Sequence, residues 1–144
     1  MRVYLDNCCF NRPFDDQRQI RVQLEAEATL CIEDCIRRGM FELVWSYMLD
    51  FENAASPFDE RRTAISRWRQ YATIDVEETP QILQQANKLA DAGLKAKDAL
   101  HIACAIAGSC PYFVTTDDHL LKRQRDIQDI AIIDPTSFVR ENNL

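Results

Sequence analysis

Apolar residues along this chain recur with two different periods, and the changes between them mark out most of its elements. Val3, Tyr4 and Leu5 form a short β-rich run that ends at Asp6, and Asn7, Asn11, Arg12 and Pro13 bring turn chemistry directly after it. Arg2 to Leu5 is therefore predicted as the first strand. From about Ile20 to Arg38, the positions Leu24, Ala28, Cys31 and Cys35 recur at helical steps, with Gly39 as a natural stop. Phe41 to Trp45 predicts a second strand, and the Ser46 hydroxyl is placed to cap a helix from Tyr47 to Ala55. After Pro57, the residues Ile65, Trp68 and Ala72 carry a third helix whose other faces hold Arg61, Arg62, Arg67 and Arg69.

The second half repeats this alternation. Thr73 to Val76 is a short strand, and Thr79-Pro80 is an N-cap followed by a first-turn proline. Ile82, Ala86 and Leu89 make the buried stripe of the next helix, which Gly93 closes. A further helix runs from about Asp98 to Gly108. Tyr112 to Thr115 and Ile130 to Ile133 are strands separated by a helical turn at Asp118 to Arg125, and Pro135 to Arg140 finishes as helix. Strands that alternate with helices imply a parallel sheet, because parallel neighbours need right-handed crossover connections. The predicted fold is an α/β three-layer sandwich with a mostly parallel central sheet. At 144 residues, with no internal repeat or linker, the chain reads as a single domain spanning 1–144.

Composition adds mainly exclusions. Asp6 interrupts any apolar segment at the N-terminus, and the stretch Ala99 to Cys110 falls well short of the roughly 20 apolar residues of a membrane span. Neither secretion nor a membrane anchor is expected, which leaves a cytoplasmic protein. In that compartment the six cysteines are expected as thiols, and no Cys/His spacing typical of zinc is present. Cys31, Cys35 and the adjacent Cys8-Cys9 read as packing residues. The net charge of −6 counts against general nucleic-acid binding, but it permits a local basic surface beside an acidic site and suits a basic partner.

Acidic residues at the ends of elements carry the candidate chemistry. In an open parallel sheet, ligands gather beyond the carboxyl ends of the strands. Asp6 ends the first strand and Asp117 follows the strand that closes near Thr115, so both are placed on that rim. Glu52 lies in the second turn of its helix, and Asp98 opens another. Each taken alone also fits a cap, a solvated helix position or a favourable charge on a helix dipole. Together they predict a cluster whose mutual repulsion a hard, oxygen-preferring cation such as Mg²⁺ or Mn²⁺ would relieve.

The chain also resembles the PIN-domain family, and within it the small VapC-like toxins, over nearly its whole length. The resemblance rests on Val3-Tyr4-Leu5-Asp6, on Ser46 followed by Glu52, on Lys97-Asp98-Ala99-Leu100-His101-Ile102-Ala103, and on Phe113-Val114-Thr115-Thr116-Asp117. It implies a metal-dependent endoribonuclease, the toxin of a toxin-antitoxin module, with Asp6, Glu52, Asp98 and Asp117 as both catalytic residues and ligands of Mg²⁺ or Mn²⁺. It further implies an RNA substrate, a cognate antitoxin protein and a homodimer that aligns two sites along a groove. Ser46, Thr115 and Asp118 are expected to hold the ligands in place, with helix capping the better account of Ser46. Lys97, beside a proposed ligand, and Arg12 are the expected RNA contacts. His101 stands one turn after Asp98, within reach of a general-base role, but its apolar face favours a packed histidine.

The chain departs from the family pattern at Asn7-Cys8-Cys9, where an Asp, then Thr or Ser, then Asn or Ser is usual. A polar group is thus missing at Cys8, and Asn7 and Asn11 are the candidates to supply its hydrogen bond. Two rival readings remain. A phosphatase forming an aspartyl-phosphate needs a second aspartate where Cys8 stands, and a receiver domain needs paired early acids and a late lysine at a strand end; neither pattern is present. The other rival is a PIN-like module kept for protein binding or regulation, with little or no nuclease activity.

Overall fold

In the computed structural model, which describes residues 1–144, five parallel strands form one sheet in the order β3-β2-β1-β4-β5. The chain runs through β1 (Arg2–Leu5), α1 (Asn7–Asn11), a 3₁₀ turn at Arg12–Phe14, α2 (Ile20–Arg37), β2 (Glu42–Ser46), α3 (Tyr47–Ala54) and α4 (Asp59–Ser66). A second 3₁₀ turn at Arg67–Tyr71 leads into β3 (Ala72–Val76), α5 (Pro80–Asp91), α6 (Ala96–Ala107) and β4 (Tyr112–Val114). The short α7 (Asp118–Leu121), a 3₁₀ turn at Gln124–Asp126, β5 (Ala131–Ile133) and α8 (Pro135–Glu141) complete it. No helix is long and apolar enough to cross a membrane.

Consecutive burial along the central strands shows that both faces of the sheet are covered, since successive side chains on a strand point to opposite sides. Val3, Tyr4 and Leu5 are buried without interruption, as are Leu43, Val44, Trp45 and Ser46. Val44 lies so close beneath Gly108, at the end of α6, that a Cβ there would sit 2.7 Å from its Cγ1. Its neighbour Trp45 instead packs against Phe10 of α1, with ring centroids 5.6 Å apart. The expected three-layer α/β sandwich is therefore the fold, and every strand pairing in it is parallel.

Most caps fall where the residue types place them. The hydroxyls of Ser46 and Thr79 accept from Leu49 N–H and Ile82 N–H, and Gly93 closes α5 at φ +109°. A side chain there would be strained, and its Cβ would run into the Arg123 guanidinium.

Three expectations are corrected. Leu24 does not belong to the buried stripe of α2: it is exposed, and Cys31 is only half-buried, while Ala28, Ile32, Cys35 and Ile36 face the core. Glu25 and Glu33, acids that periodicity assigns to the surface, are buried on this inward face. The third helix is divided, with Trp68 in the 3₁₀ turn and Ala72 opening β3. Finally, α6 begins at Ala96, so Asp98 occupies its first turn rather than its first position. All six cysteines are free thiols, as expected.

Candidate metal and catalytic site

The strand order reverses between β1 and β4, the two strands that carry Asp6 and the segment before Asp117 at their carboxyl ends. Crossovers run one way from β1 to β3 and the other way to β5, so a crevice opens between these two strands. Asp6 sits in its floor, buried yet held by three donors. Asn7 N–H donates to Oδ1 at 2.8 Å, the Thr115 hydroxyl to Oδ2 at 2.8 Å, and the Cys8 thiol to Oδ2 at 3.4 Å.

The thiol thus stands where the family pattern would have a hydroxyl. Its sulfur is also 3.4 Å from Thr115 Oγ1 and accepts from Thr116 N–H at 3.4 Å. Neither asparagine replaces it: Asn11 donates to the Asn7 carbonyl, and Asn7 Oδ1 has no partner.

Glu52, on the second turn of α3, meets α6 through His101. Nε2 of this buried imidazole lies 2.9 Å from Glu52 Oε1, and Nδ1 lies 2.7 Å from the Tyr4 hydroxyl, itself 2.6 Å from Ser46 Oγ. An ionised carboxylate only accepts, so Nε2 carries a proton toward Glu52. Tyr4 stays a phenol, since burial pushes its pKa well above the ordinary value. A continuous relay therefore joins Ser46, Tyr4, His101 and Glu52 from the sheet to the crevice.

Donor atoms of Asp6, Glu52 and His101 all lie within 4.8 Å of one another. Burial pushes the Asp6 carboxyl up, and nearby Glu52 adds to this against the opposing pull of His101, Thr115 and Cys8. Asp98 is raised likewise, first by burial and then by the charges of Asp6 and Asp117. Burial also acts upward on Glu52, but the hydrogen bond and charge of His101, with Lys97, hold it below its ordinary range. Like charges crowded into a desolvated crevice are costly to keep ionised, and a cation among them removes that cost. An oxygen-rich donor set suits Mg²⁺ or Mn²⁺.

The remaining sites fall outside this cluster or at its edge. Asp117 caps α7 by accepting from His119 N–H at 2.9 Å, and its own N–H donates to Thr115 Oγ1 at 3.1 Å. Asp118 turns away and forms two short contacts, 2.7 and 2.6 Å, with the Arg21 guanidinium. Arg12 points inward between Asp15 Oδ2, at 3.2 Å, and the buried Glu25 Oε1, at 3.1 Å. Lys97 is exposed and makes no ion pair, although its charge reaches Glu52. Of the four arginines between Pro57 and β3, Arg61, Arg62 and Arg69 are paired with Asp15, Asp59 and Asp75, and Arg67 is unpaired.

His101 is buried, as its apolar face predicts, but it is also bonded at both ring nitrogens, and Tyr4 is a partner the sequence pattern does not single out. The signals are the one-turn spacing from Asp98 to His101, and the two-residue step from Tyr4 in β1 to Asp6 just past its end.

A family model described as the PIN domain matches residues 3–126. The chain belongs to the PIN-domain family. Solved structures agree with it in fold. FitAcB from Neisseria gonorrhoeae is 14% identical, with a TM-score of 0.60 over 92% of this chain and 97% of that one. VapBC-1 from nontypeable Haemophilus influenzae is 15% identical, with a TM-score of 0.61 over 94% and 99%. VapBC2 from Rickettsia felis, bound to a DNA fragment from their promoter, is 12% identical, with a TM-score of 0.57 over 93% and 98%. No curated protein matches the sequence.

Proposed function

We infer that this PIN-domain protein is a metal-dependent endoribonuclease and the toxin of a toxin-antitoxin pair. The observation that carries the reading is the convergence of the Asp6 and Glu52 carboxylates, with His101 bonded to Glu52, at the point where strand order reverses, with Asp98 and Asp117 close enough to feel or exert charge there. Asp6, Glu52, Asp98 and Asp117 would hold Mg²⁺ or Mn²⁺. Such a cation supplies the Lewis acidity that polarises a phosphoryl oxygen and acidifies water.

The protein's own groups do the rest. Asn7 N–H, Thr115 and Cys8 fix the Asp6 carboxylate, and His101 orients Glu52 from behind while Tyr4 and Ser46 orient His101. Lys97, exposed beside Asp98, would contact an RNA phosphate. Arg12 would do so only by giving up Asp15 or Glu25. A basic antitoxin suits the acidic chain, and FitAcB and the VapBC complexes supply the analogy for it; a homodimer is proposed on the family resemblance alone.

The test is cleavage of end-labelled single-stranded RNA with Mg²⁺ or Mn²⁺ and with excess EDTA. Expected products carry 5′-phosphate and 3′-hydroxyl ends and vanish with EDTA, because attack by water needs no ribose 2′-hydroxyl. Undiminished cleavage in EDTA, or a 2′,3′-cyclic phosphate, contradicts the metal-supported hydrolysis. No cleavage under any condition, with tight protein binding, favours the binding-module alternative.

A further inference from the structure

Asp117 stands on a segment with little internal structure to hold it. The strand β4 ends at Val114, and α7, which Asp117 caps, is only four residues long. A single helical turn fixes several dihedrals for very few hydrogen bonds and is unstable by itself. Asp117 N–H donates to Thr115 Oγ1 at 3.1 Å, and Thr116 N–H donates to the Cys8 sulfur at 3.4 Å. Both bonds tie the backbone on the crevice side, and the buried Leu120 anchors α7 further along.

Arg21, in the first turn of α2, supplies a third hold. Its Nη1 and Nη2 lie 2.7 and 2.6 Å from the two carboxylate oxygens of Asp118, and Nη2 also donates to the Thr116 carbonyl at 3.3 Å. One planar guanidinium thus grips the residue before Asp117 and the residue after it. A forked pair of this kind fixes orientation as well as distance. The guanidinium is itself aimed, since its Nε lies 3.3 Å from Oε1 of the buried Glu25, one turn along α2, and Arg12 holds the same oxygen at 3.1 Å. The Arg21 and Asp118 side chains are 51% and 59% exposed, and ion pairs so open to water add little to stability. What the contact fixes is the place of Asp117, whose charge reaches Asp98.

We propose that Arg21 is a positioning residue for the metal site, a clamp on Thr116 and Asp118 that keeps the Asp117 carboxylate turned toward the crevice. The proposal rests on the reading of Asp117 as a metal ligand, although the clamp orders its segment with or without metal. The sign of the effect separates positioning from plain electrostatics. Removing a cation from beside a metal site strengthens metal binding through charge alone, whereas losing the clamp weakens it.

The test compares the full chain with Arg21→Ala, Asp118→Ala and the double variant, by Mn²⁺ calorimetry and by amide hydrogen exchange in metal-free buffer. Arg21→Ala is expected to bind Mn²⁺ about tenfold more weakly, as when a group that orients a ligand is lost, with a melting temperature close to the parent's. In the Asp118→Ala background the same substitution is expected to add no further weakening, because the two residues act as a unit. The amides of Asp117 and His119, held by Thr115 Oγ1 and Asp117 Oδ1, are expected to exchange faster in Arg21→Ala. Unchanged or tighter Mn²⁺ binding by Arg21→Ala, or unchanged exchange at these amides, would overturn the proposal. So would an equal loss of affinity in both backgrounds, or a loss that comes with a clearly lower melting temperature. A parent chain that binds no Mn²⁺ would contradict the proposed function instead, and the exchange of the two amides then decides the clamp.

Discussion

His101 Nε2 lies 2.9 Å from Glu52 Oε1, and the same imidazole lies 2.7 Å from the Tyr4 hydroxyl on the central strand. This links Glu52, through His101 and Tyr4, to Ser46 at the end of β2, which also caps α3. Tyr4→Phe removes the link and leaves the buried Ser46 and His101 groups short of a partner. The variant is expected to lose about 1–3 kcal/mol of stability, read as a lower denaturant midpoint with an unchanged slope. An unchanged midpoint would show that the relay carries no energy.

Cys8 tests whether the departure from the family pattern is functional. Its thiol is a weak donor to Asp6 Oδ2, and a serine hydroxyl is a stronger one of smaller size. Cys8→Ser is expected to hold or improve Mn²⁺ affinity, and Cys8→Ala to lower it by up to about tenfold, since groups that orient a ligand tune its affinity. Equal affinity in all three proteins by calorimetry would reduce Cys8 to a packing residue.

Glu33 gives the pH dependence its clearest sign. Burial pushes its carboxyl up to about 7 in the folded protein, against the pull of Arg37, while the unfolded value is near 4.5. Below the unfolded value the group is protonated in both states and costs nothing. As pH rises through about 7, the folded state must carry a buried charge, and stability is lost. Glu33→Gln is therefore expected to match the parent near pH 4.5 and to become more stable than it by up to about 3 kcal/mol at pH 8. A gap that is constant with pH, in melts without divalent metal, would mean that Glu33 titrates normally.

Lys97 and Arg12 were read alike from sequence, but their surroundings separate them. Lys97 is exposed and unpaired, whereas the Arg12 side chain, 20% exposed, sits between Asp15 and the buried Glu25. Lys97→Ala is expected to reduce the salt dependence of RNA binding by roughly one unit or less and to leave Mn²⁺ affinity nearly unchanged. Arg12→Ala is expected to act mainly on stability, by about 1–3 kcal/mol, because Glu25 loses one of its two guanidinium partners. The reverse assignment, with Arg12→Ala fully stable and Lys97→Ala without effect on the salt slope, would exchange their roles.

Much of this architecture was legible because strand and helix periods differ and because caps such as Ser46 and Thr79 are chemically specific. The places where the pattern failed share a cause. Glu25 and Glu33 are acids turned inward in the tertiary fold, which no periodicity reports, and Leu24 faces solvent. The meeting of Asp6 and Glu52 was legible in the sequence, whereas the Tyr4-His101-Glu52 relay depends on two side chains meeting across 97 residues of chain. Arg12 shows the same limit: its charge is plain in the sequence, and its partners are not.

The central claim is that Asp98 and its neighbours gather a cation rather than support the fold. The most direct test compares Asp98→Asn with the parent by thermal melting in metal-free buffer and by Mn²⁺ calorimetry. Burial, with the charges of Asp6 and Asp117, raises the Asp98 carboxyl, so neutralising it relieves repulsion. The variant is expected to melt at the same temperature or slightly higher without metal, and to lose Mn²⁺ binding and the stabilisation that Mn²⁺ gives the parent. A variant that melts clearly lower without metal yet binds Mn²⁺ as the parent does would contradict the account.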